Sequence, residues 1–197
     1  MFTGIILKVG QLVSLERTNP PVLTVAVDLP GRKPGIGDSL AVNGVCLTVI
    51  AAEKSHFRFQ VSAETLSRSN FADLDVGAPV NIEPPLSLTD PLGGHLVSGH
   101  VDGMVRLRSI SRGRSRQRFV FTYQEKEWQP LLLPKGSVAL NGVSLTVIDV
   151  HPTWFDVEII PHTLQTSNIG RLRLGERVNI ELDLIGKYLY NFVQRRK

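Results

Sequence analysis

The sequence holds one cysteine, Cys46, in the run Cys46-Leu47-Thr48, and Ser144-Leu145-Thr146 repeats the form of that run later in the chain. A thiol and a hydroxyl are nucleophiles of unequal strength, and in a strand the threonine two residues on shares their face. His100 stands behind Gly99, and histidine is the side chain suited to proton exchange near neutrality. Lys135 supplies a cation, Asp183 an anion, and Glu64 and His162 two more titratable groups. His95, between Gly94 and Leu96, ranks below His100. Nucleophilic addition and proton exchange are the chemistries on offer. Each side chain has a plainer role as well: a lone strand cysteine is a small core hydrophobe, a histidine beside a tight glycine turn is structural, buried threonine hydroxyls hydrogen-bond the fold, and Asp183 is a helix N-cap.

These residues are linked by an internal repeat. Asn43-Gly-Val-Cys-Leu-Thr-Val-Ile50 recurs as Asn141-Gly-Val-Ser-Leu-Thr-Val-Ile148, an offset of 98, and from Ser39 to Leu86 that offset gives 21 identities in 48 positions without a gap. The period is too long for a solenoid, so the chain reads as two copies of one domain, residues 1–92 and 93–184, with a closing segment 185–197. Shared residues hold such a scaffold together, and chemistry is sought where the copies differ. Cys46 faces Ser144, Glu64 faces His162, Gly37 faces Lys135 and Pro85 faces Asp183. With the offset shortened by three, Thr3-Gly4-Ile5 faces Ser98-Gly99-His100. Two related pockets with different polar equipment suit two similar ligands in different electronic roles.

The elements that must position these groups read as β. Val22–Val27, Ser39–Val42, Cys46–Ile50, Phe57–Val61 and Val80–Glu83 are short, rich in β-branched residues and bounded by turn formers. Asn43-Gly44 and Asn141-Gly142 are two-residue hairpin turns. About six short strands per copy predict an all-β fold of two small closed barrels, since closure removes edges. Ser62–Asn70 and Pro161–Asn168 lack strand alternation and predict short helical turns. After Asp183, the apolar residues Ile185, Tyr188, Leu189, Phe192 and Val193 follow helical spacing. That stripe must cover its own barrels or another subunit.

Composition narrows the class. With 42% hydrophobic and 20% charged residues, disorder, collagen and coiled coil are excluded. No apolar run approaches the ~20 residues of a membrane-spanning helix. The start Met1-Phe2-Thr3-Gly4-Ile5 has no basic stretch ahead of an apolar run, which predicts a cytoplasmic protein. A lone cysteine makes neither an internal disulfide nor a zinc knuckle. The charge of +4 is concentrated in Arg106, Arg108, Arg112, Arg114, Arg116 and Arg118. No aromatic among them could stack a base, so the run reads as a solvated hairpin rather than a nucleic-acid surface.

Taken together, Met1-Phe-Thr-Gly-Ile5, the two Asn-Gly-Val runs, Gly93-Gly-His-Leu-Val-Ser-Gly-His-Val-Asp-Gly103 and the closing Asp183-Leu-Ile-Gly-Lys-Tyr-Leu189 resemble the riboflavin synthase family from end to end. The resemblance implies two six-stranded Greek-key barrels, a C-terminal helix that assembles a homotrimer, and no cofactor. It implies a transferase of riboflavin biosynthesis in which two molecules of 6,7-dimethyl-8-ribityllumazine dismutate, by four-carbon transfer, to riboflavin and 5-amino-6-ribitylaminouracil, with lumazine synthase as a further partner. The acidic 7-methyl group of the substrate then needs a base nearby and donors where charge collects.

The resemblance also assigns roles residue by residue. Cys46, His100, Lys135, Ser144, Thr146 and Asp183 become catalytic. Substrate contacts fall on Phe2, Thr3, Gly4, Ile5 and Ile6, on Ser39, on Cys46, Leu47 and Thr48, and on the turn Ser62, Ala63, Glu64 and Thr65. Others fall on Gly99, His100 and Val101, on Lys135, on Ser144, Leu145 and Thr146, and on the turn Ile160, Pro161, His162 and Thr163. Ala63 replaces the family's more usual proline, which puts the stiffness of that turn in question. Lumazine and yellow fluorescent proteins resemble the family too, as pigment-binding antennae, and give the alternative of a non-catalytic lumazine or flavin binder of the same fold. They lose much of the Gly-Gly-His and Ser-Gly-His pattern that this chain keeps.

Overall fold

Asn43, Gly44, Asn141 and Gly142 all have φ between 44° and 78°, the paired positive values that a type I′ hairpin requires. These turns join β3 (Ser39–Val42) to β4 (Val45–Glu53) and β9 (Ser137–Leu140) to β10 (Val143–His151). The structure is a computed structural model that describes residues 1–31, 34–113 and 116–196. Around the first hairpin lie β1 (Lys8–Glu16), β2 (Val22–Ala26), β5 (His56–Gln60) and β6 (Pro79–Glu83). Around the second lie β7 (Gly103–Arg112), β8 (Gln117–Thr122), β11 (Trp154–Ile159) and β12 (Arg177–Leu182). Each set closes into an antiparallel six-stranded barrel, in the orders β1-β2-β5-β4-β3-β6 and β10-β11-β8-β7-β12-β9. The expected pair of barrels is therefore present.

Alternation explains the closure. In β5, Phe57 and Phe59 point inward while His56, Arg58 and Gln60 point out, and the same period fills both barrels with aliphatic and phenyl side chains. The opening strands β1 and β7 carried no clear strand signal, and each has a bulge, between Leu12 and Ser14 and between Leu107 and Ser109. A bulge shifts the inward set by one residue and breaks the period.

The helical turns are α1 (Ala63–Arg68) and α2 (Pro161–Thr166). The Ser62 side chain caps α1 by accepting from Thr65 N at 3.0 Å. Proline opens α2, which lacks a side-chain cap. Ser62 thus supplies by hydrogen bond the order that Ala63 does not supply by ring geometry. A third helix, α3 (Leu184–Gln194), is capped by Asp183. The basic hairpin is β7–β8: Arg118 pairs with Asp149 and Asp156 and Arg116 with Glu158, while Arg114 lies outside the described residues. Two of its arginines are thus ion-paired, and Arg106 donates to the Gly175 carbonyl.

A buried seam joins the barrels about an approximate twofold axis. Phe2 and Val97 pair across it as an antiparallel bridge and pack with Ala41 and Ala139. Six buried asparagines form the polar part. Asn81 Nδ2 donates to the Asn141 carbonyl and Asn179 Nδ2 to that of Asn43, both at 2.9 Å. Asn70 N donates to Asn179 Oδ1 and Asn168 N to Asn81 Oδ1, both at 2.7 Å. On the axis Gly44 and Gly142 meet so closely that a Cβ on Gly44 would stand 2.6 Å from Gly142 N.

Candidate functional site

The leading segment of each repeat lies on the barrel of the other. Cys46, paired with Ala41 in the β3–β4 ladder, donates its backbone N–H to the Gly99 carbonyl at 2.8 Å. Ser144, paired with Ala139, donates its own to the Gly4 carbonyl at 2.8 Å. Approach this close excludes a side chain, since a Cβ on Gly99 would lie 2.5 Å from Cys46 Cβ and one on Gly4 2.6 Å from Ser144 Cβ. Gly99 therefore sits directly on Cys46, and Gly4 directly on Ser144.

Two buried glutamates hold these segments. Glu83 Oε1 accepts from Thr3 N at 2.6 Å and Thr3 Oγ1 at 2.8 Å, and Oε2 from Gly4 N at 3.1 Å. Glu181 Oε1 accepts from Ser98 N at 2.6 Å and Ser98 Oγ at 2.7 Å, and Oε2 from Gly99 N at 2.9 Å. Burial pushes both carboxyls above the usual carboxylate range, against the pull of those donors.

The side chains differ as the repeat foretold. His95 Nδ1 lies 2.7 Å from Ser144 Oγ. Burial holds the His95 pKa below its ordinary value, and the Asp183 charge pulls the other way. Asp183 also caps α3, its Oδ1 accepting from Ile185 N at 2.9 Å, which is the N-cap role expected of it. Lys135 has φ 67° where Gly37 has φ 89°. A lysine in the left-handed region costs about 1–2 kcal/mol, and strain of this kind collects at functional positions. Its backbone N–H donates to Val147 O.

The other expected contacts fall into three groups. Thr48, Thr146, Ile5, Ser62, Ala63, Glu64, Ile160, Pro161, His162, Lys135 and His100 are exposed, and Ile6, Ser39, Thr65, Val101 and Thr163 are half-buried. Glu64 is engaged by Arg68 at 3.2 Å. The side chains of Phe2, Leu47 and Leu145, expected at the substrate, are instead core, at 0%, 5% and 8% exposure. Phe2 fills the seam, while Leu47 and Leu145 take the inward positions of β4 and β10.

The sequence ranks His95 below His100, and its partner Ser144 is 49 residues away. The available signal was Gly94 before it, where a Cβ would lie 2.8 Å from Ser144 Cβ. A groove of about 710 Å³ between the barrels, past Asn70, Arg106 and Arg177, contains neither Cys46 nor Ser144. Among the described residues no cluster of three or more His, Cys, Asp or Glu could hold a metal, and no helix is long and apolar enough to cross a membrane.

Comparison with known proteins agrees with this geometry. The lumazine binding domain matches twice, over residues 3–84 and 98–183, and the second match begins at the Ser98 that faces Thr3. The riboflavin synthase of Escherichia coli K12 is 38% identical over 198 residues, covering 99% of this chain and 92% of the relative. That of Actinobacillus pleuropneumoniae is 36% identical, covering 100% and 91%, and that of Bacillus subtilis 168 is 35% identical, covering 99% and 91%. In fold, the chain is similar to LumP solved with 6,7-dimethyl-8-(1'-D-ribityl) lumazine, with a TM-score of 0.81, 22% identity, and 92% and 98% coverage. LumP solved with riboflavin gives a TM-score of 0.83 at 22% identity. With two matched domains and more than one-third identity over its full length to several relatives, the chain belongs to the riboflavin synthase family.

Proposed function

We propose that the chain catalyses the riboflavin synthase reaction, dismutating two 6,7-dimethyl-8-ribityllumazine molecules to riboflavin and 5-amino-6-ribitylaminouracil. The observation that carries this reading is the equivalence of Cys46 and Ser144 on matching strands, with different polar groups around them. Both substrates are one molecule, but one gives and the other accepts the four-carbon unit. Two pockets of one shape and unequal chemistry meet that need.

One lumazine lies against Cys46, Thr48, the start of α1 and Gly99–Val101. The other lies against Ser144, Thr146, the start of α2 and Gly4–Ile6. A neutral His95, protonated at Nε2, accepts the Ser144 hydroxyl at Nδ1 and makes that oxygen a better base or nucleophile. His100 and Lys135 supply a proton carrier and a positive charge where the ring anion forms.

Each half-site is open in the single chain, and α3 has no buried residue, with Tyr188 71% and Leu189 62% exposed. Both features support a homotrimer in which α3 packs against its copies and the first barrel of one protomer faces the second barrel of another. The cytoplasm is the proposed compartment.

The rival is a pigment binder, favoured by the likeness to LumP in fold alone. Purified protein incubated with 6,7-dimethyl-8-ribityllumazine should develop flavin absorbance with an equal amount of 5-amino-6-ribitylaminouracil. Tight binding without turnover would establish the rival.

A further inference from the structure

Glu83 and Glu181 are not among the expected substrate contacts, but they hydrogen-bond residues that are, Thr3, Gly4 and Gly99. Glu83 belongs to β6 of the first barrel, but the segment it grips, Thr3-Gly4, is hydrogen-bonded to Ser144 of the second. Glu181 belongs to β12 of the second barrel, and Ser98-Gly99 is bonded to Cys46 of the first. Each carboxylate gathers three donors from one tight turn, and both are buried, at 6% and 3% exposure. Each segment is also seated on the strand beneath by one backbone hydrogen bond, Ser144 N to the Gly4 carbonyl and Cys46 N to the Gly99 carbonyl, both at 2.8 Å.

We propose that the two glutamates are positioning residues that act crosswise: Glu83 sets the pocket around Ser144 in the second barrel, and Glu181 sets the pocket around Cys46 in the first. Each barrel then holds the rim of its neighbour's pocket, and the two half-sites of a chain are coupled through the seam. The pocket identities rest on the proposed function; the crosswise action rests on the hydrogen bonds.

A glutamine at either position keeps one acceptor oxygen and turns an NH₂ toward an N–H, Gly4 or Gly99, so it opposes one bond while retaining the side chain's size. A charged acceptor lost to a turn changes an equilibrium about tenfold or more. Cys46 is the only cysteine of the chain, so its alkylation by iodoacetamide, followed by mass spectrometry, reports the state of the Gly99 rim alone.

In full-length protein without ligand, Glu181→Gln should raise the Cys46 alkylation rate about tenfold, and Glu83→Gln should leave it within about twofold. With riboflavin as the probe, Glu181→Gln should raise the concentration that half-protects Cys46, again about tenfold. Glu83→Gln should leave that concentration unchanged while equilibrium dialysis loses about half of the bound riboflavin. Melting temperatures monitor the fold. If either glutamine variant fails to fold, Ser98→Ala and Thr3→Val, which remove one hydroxyl bond apiece, replace the pair with the same expected asymmetry. Equal effects of the two substitutions on Cys46, a stronger effect of Glu83 than of Glu181, or none from either would overturn the crosswise assignment. Unmodified protein that shows no riboflavin protection of Cys46 and no turnover would instead sink the functional reading and leave the ligand-free rates to decide the clamps.

Discussion

His95 Nδ1 is 2.7 Å from Ser144 Oγ, whereas Cys46, at the matching strand position, has no side-chain hydrogen bond among the described residues. A hydroxyl needs a base to act as one and a thiol far less so. The histidine thus stands beside the weaker acid of the two.

His95→Ala should lower turnover about 100-fold or more, the usual scale for losing a positioned base, with the melting temperature nearly unchanged. Because burial holds His95 below its ordinary value, the acid limb of kcat should fall below pH ~6.5 and vanish in His95→Asn, which keeps an acceptor but cannot titrate. In stability the sign follows from proton counts. Between the lowered folded value and the unfolded one the unfolded chain binds more protons, so the His95 contribution is complete above about pH 6.5 and is lost as pH falls through the folded value. Urea melts of the parent and His95→Asn across that range check it.

Cys46→Ser gives both strands the same residue. It should fold normally and bind riboflavin, while flavin formation falls about tenfold or more, since the chain then has a hydroxyl at that position without its histidine. An unchanged rate at saturating substrate would remove Cys46 from the chemistry.

Asn43→Ala should cost about 2–4 kcal/mol, measured by urea unfolding. It removes the acceptor of the buried Asn81 N, which donates to Asn43 Oδ1 at 2.8 Å, and one of the two acceptors of Asn168 Nδ2, which keeps only the Pro79 carbonyl.

Ending the chain after Leu184 removes Ile185, Tyr188, Leu189, Phe192 and Val193, all more than half exposed. Both barrels keep their cores, so the protein should stay folded but sediment as a smaller species with reduced turnover. At about 25 cal/mol per Å², a few hundred Å² of lost apolar contact removes several kcal/mol from association. A truncated protein that still sediments as a trimer would count against the α3 interface.

Much of this architecture was legible. Asn43-Gly44 and Asn141-Gly142 marked their hairpins because only certain residues take paired positive φ, and the repeat gave two domains because identity at one offset survives whatever the fold. The apolar spacing from Ile185 to Val193 marked α3. What could not be read was contact between distant segments with no shared local pattern. Gly4 meets Ser144 and Gly99 meets Cys46 only because two barrels meet back to back. His95 differs from His100 by its burial against Ser144, which five residues of sequence do not encode. Arg116 and Arg118 read as part of a charge excess, and only the fold brings Asp149, Asp156 and Glu158 of β10 and β11 alongside them.

Gene duplication ordinarily lets one copy explore substitutions while the other preserves the original, and the replacement of thiol by hydroxyl at Cys46 and Ser144 is such a divergence. At the axis that freedom is cancelled. Gly44 and Gly142 occupy one shared volume, each where the other's β-carbon would be, 2.6 and 2.7 Å from the opposing nitrogen, and both at positive φ. Neither copy can accept a side chain there even while its twin stays glycine, because a single added carbon already meets the opposite backbone. Two codons 98 positions apart are thus under one steric constraint, and they must remain alike for as long as the halves stay joined.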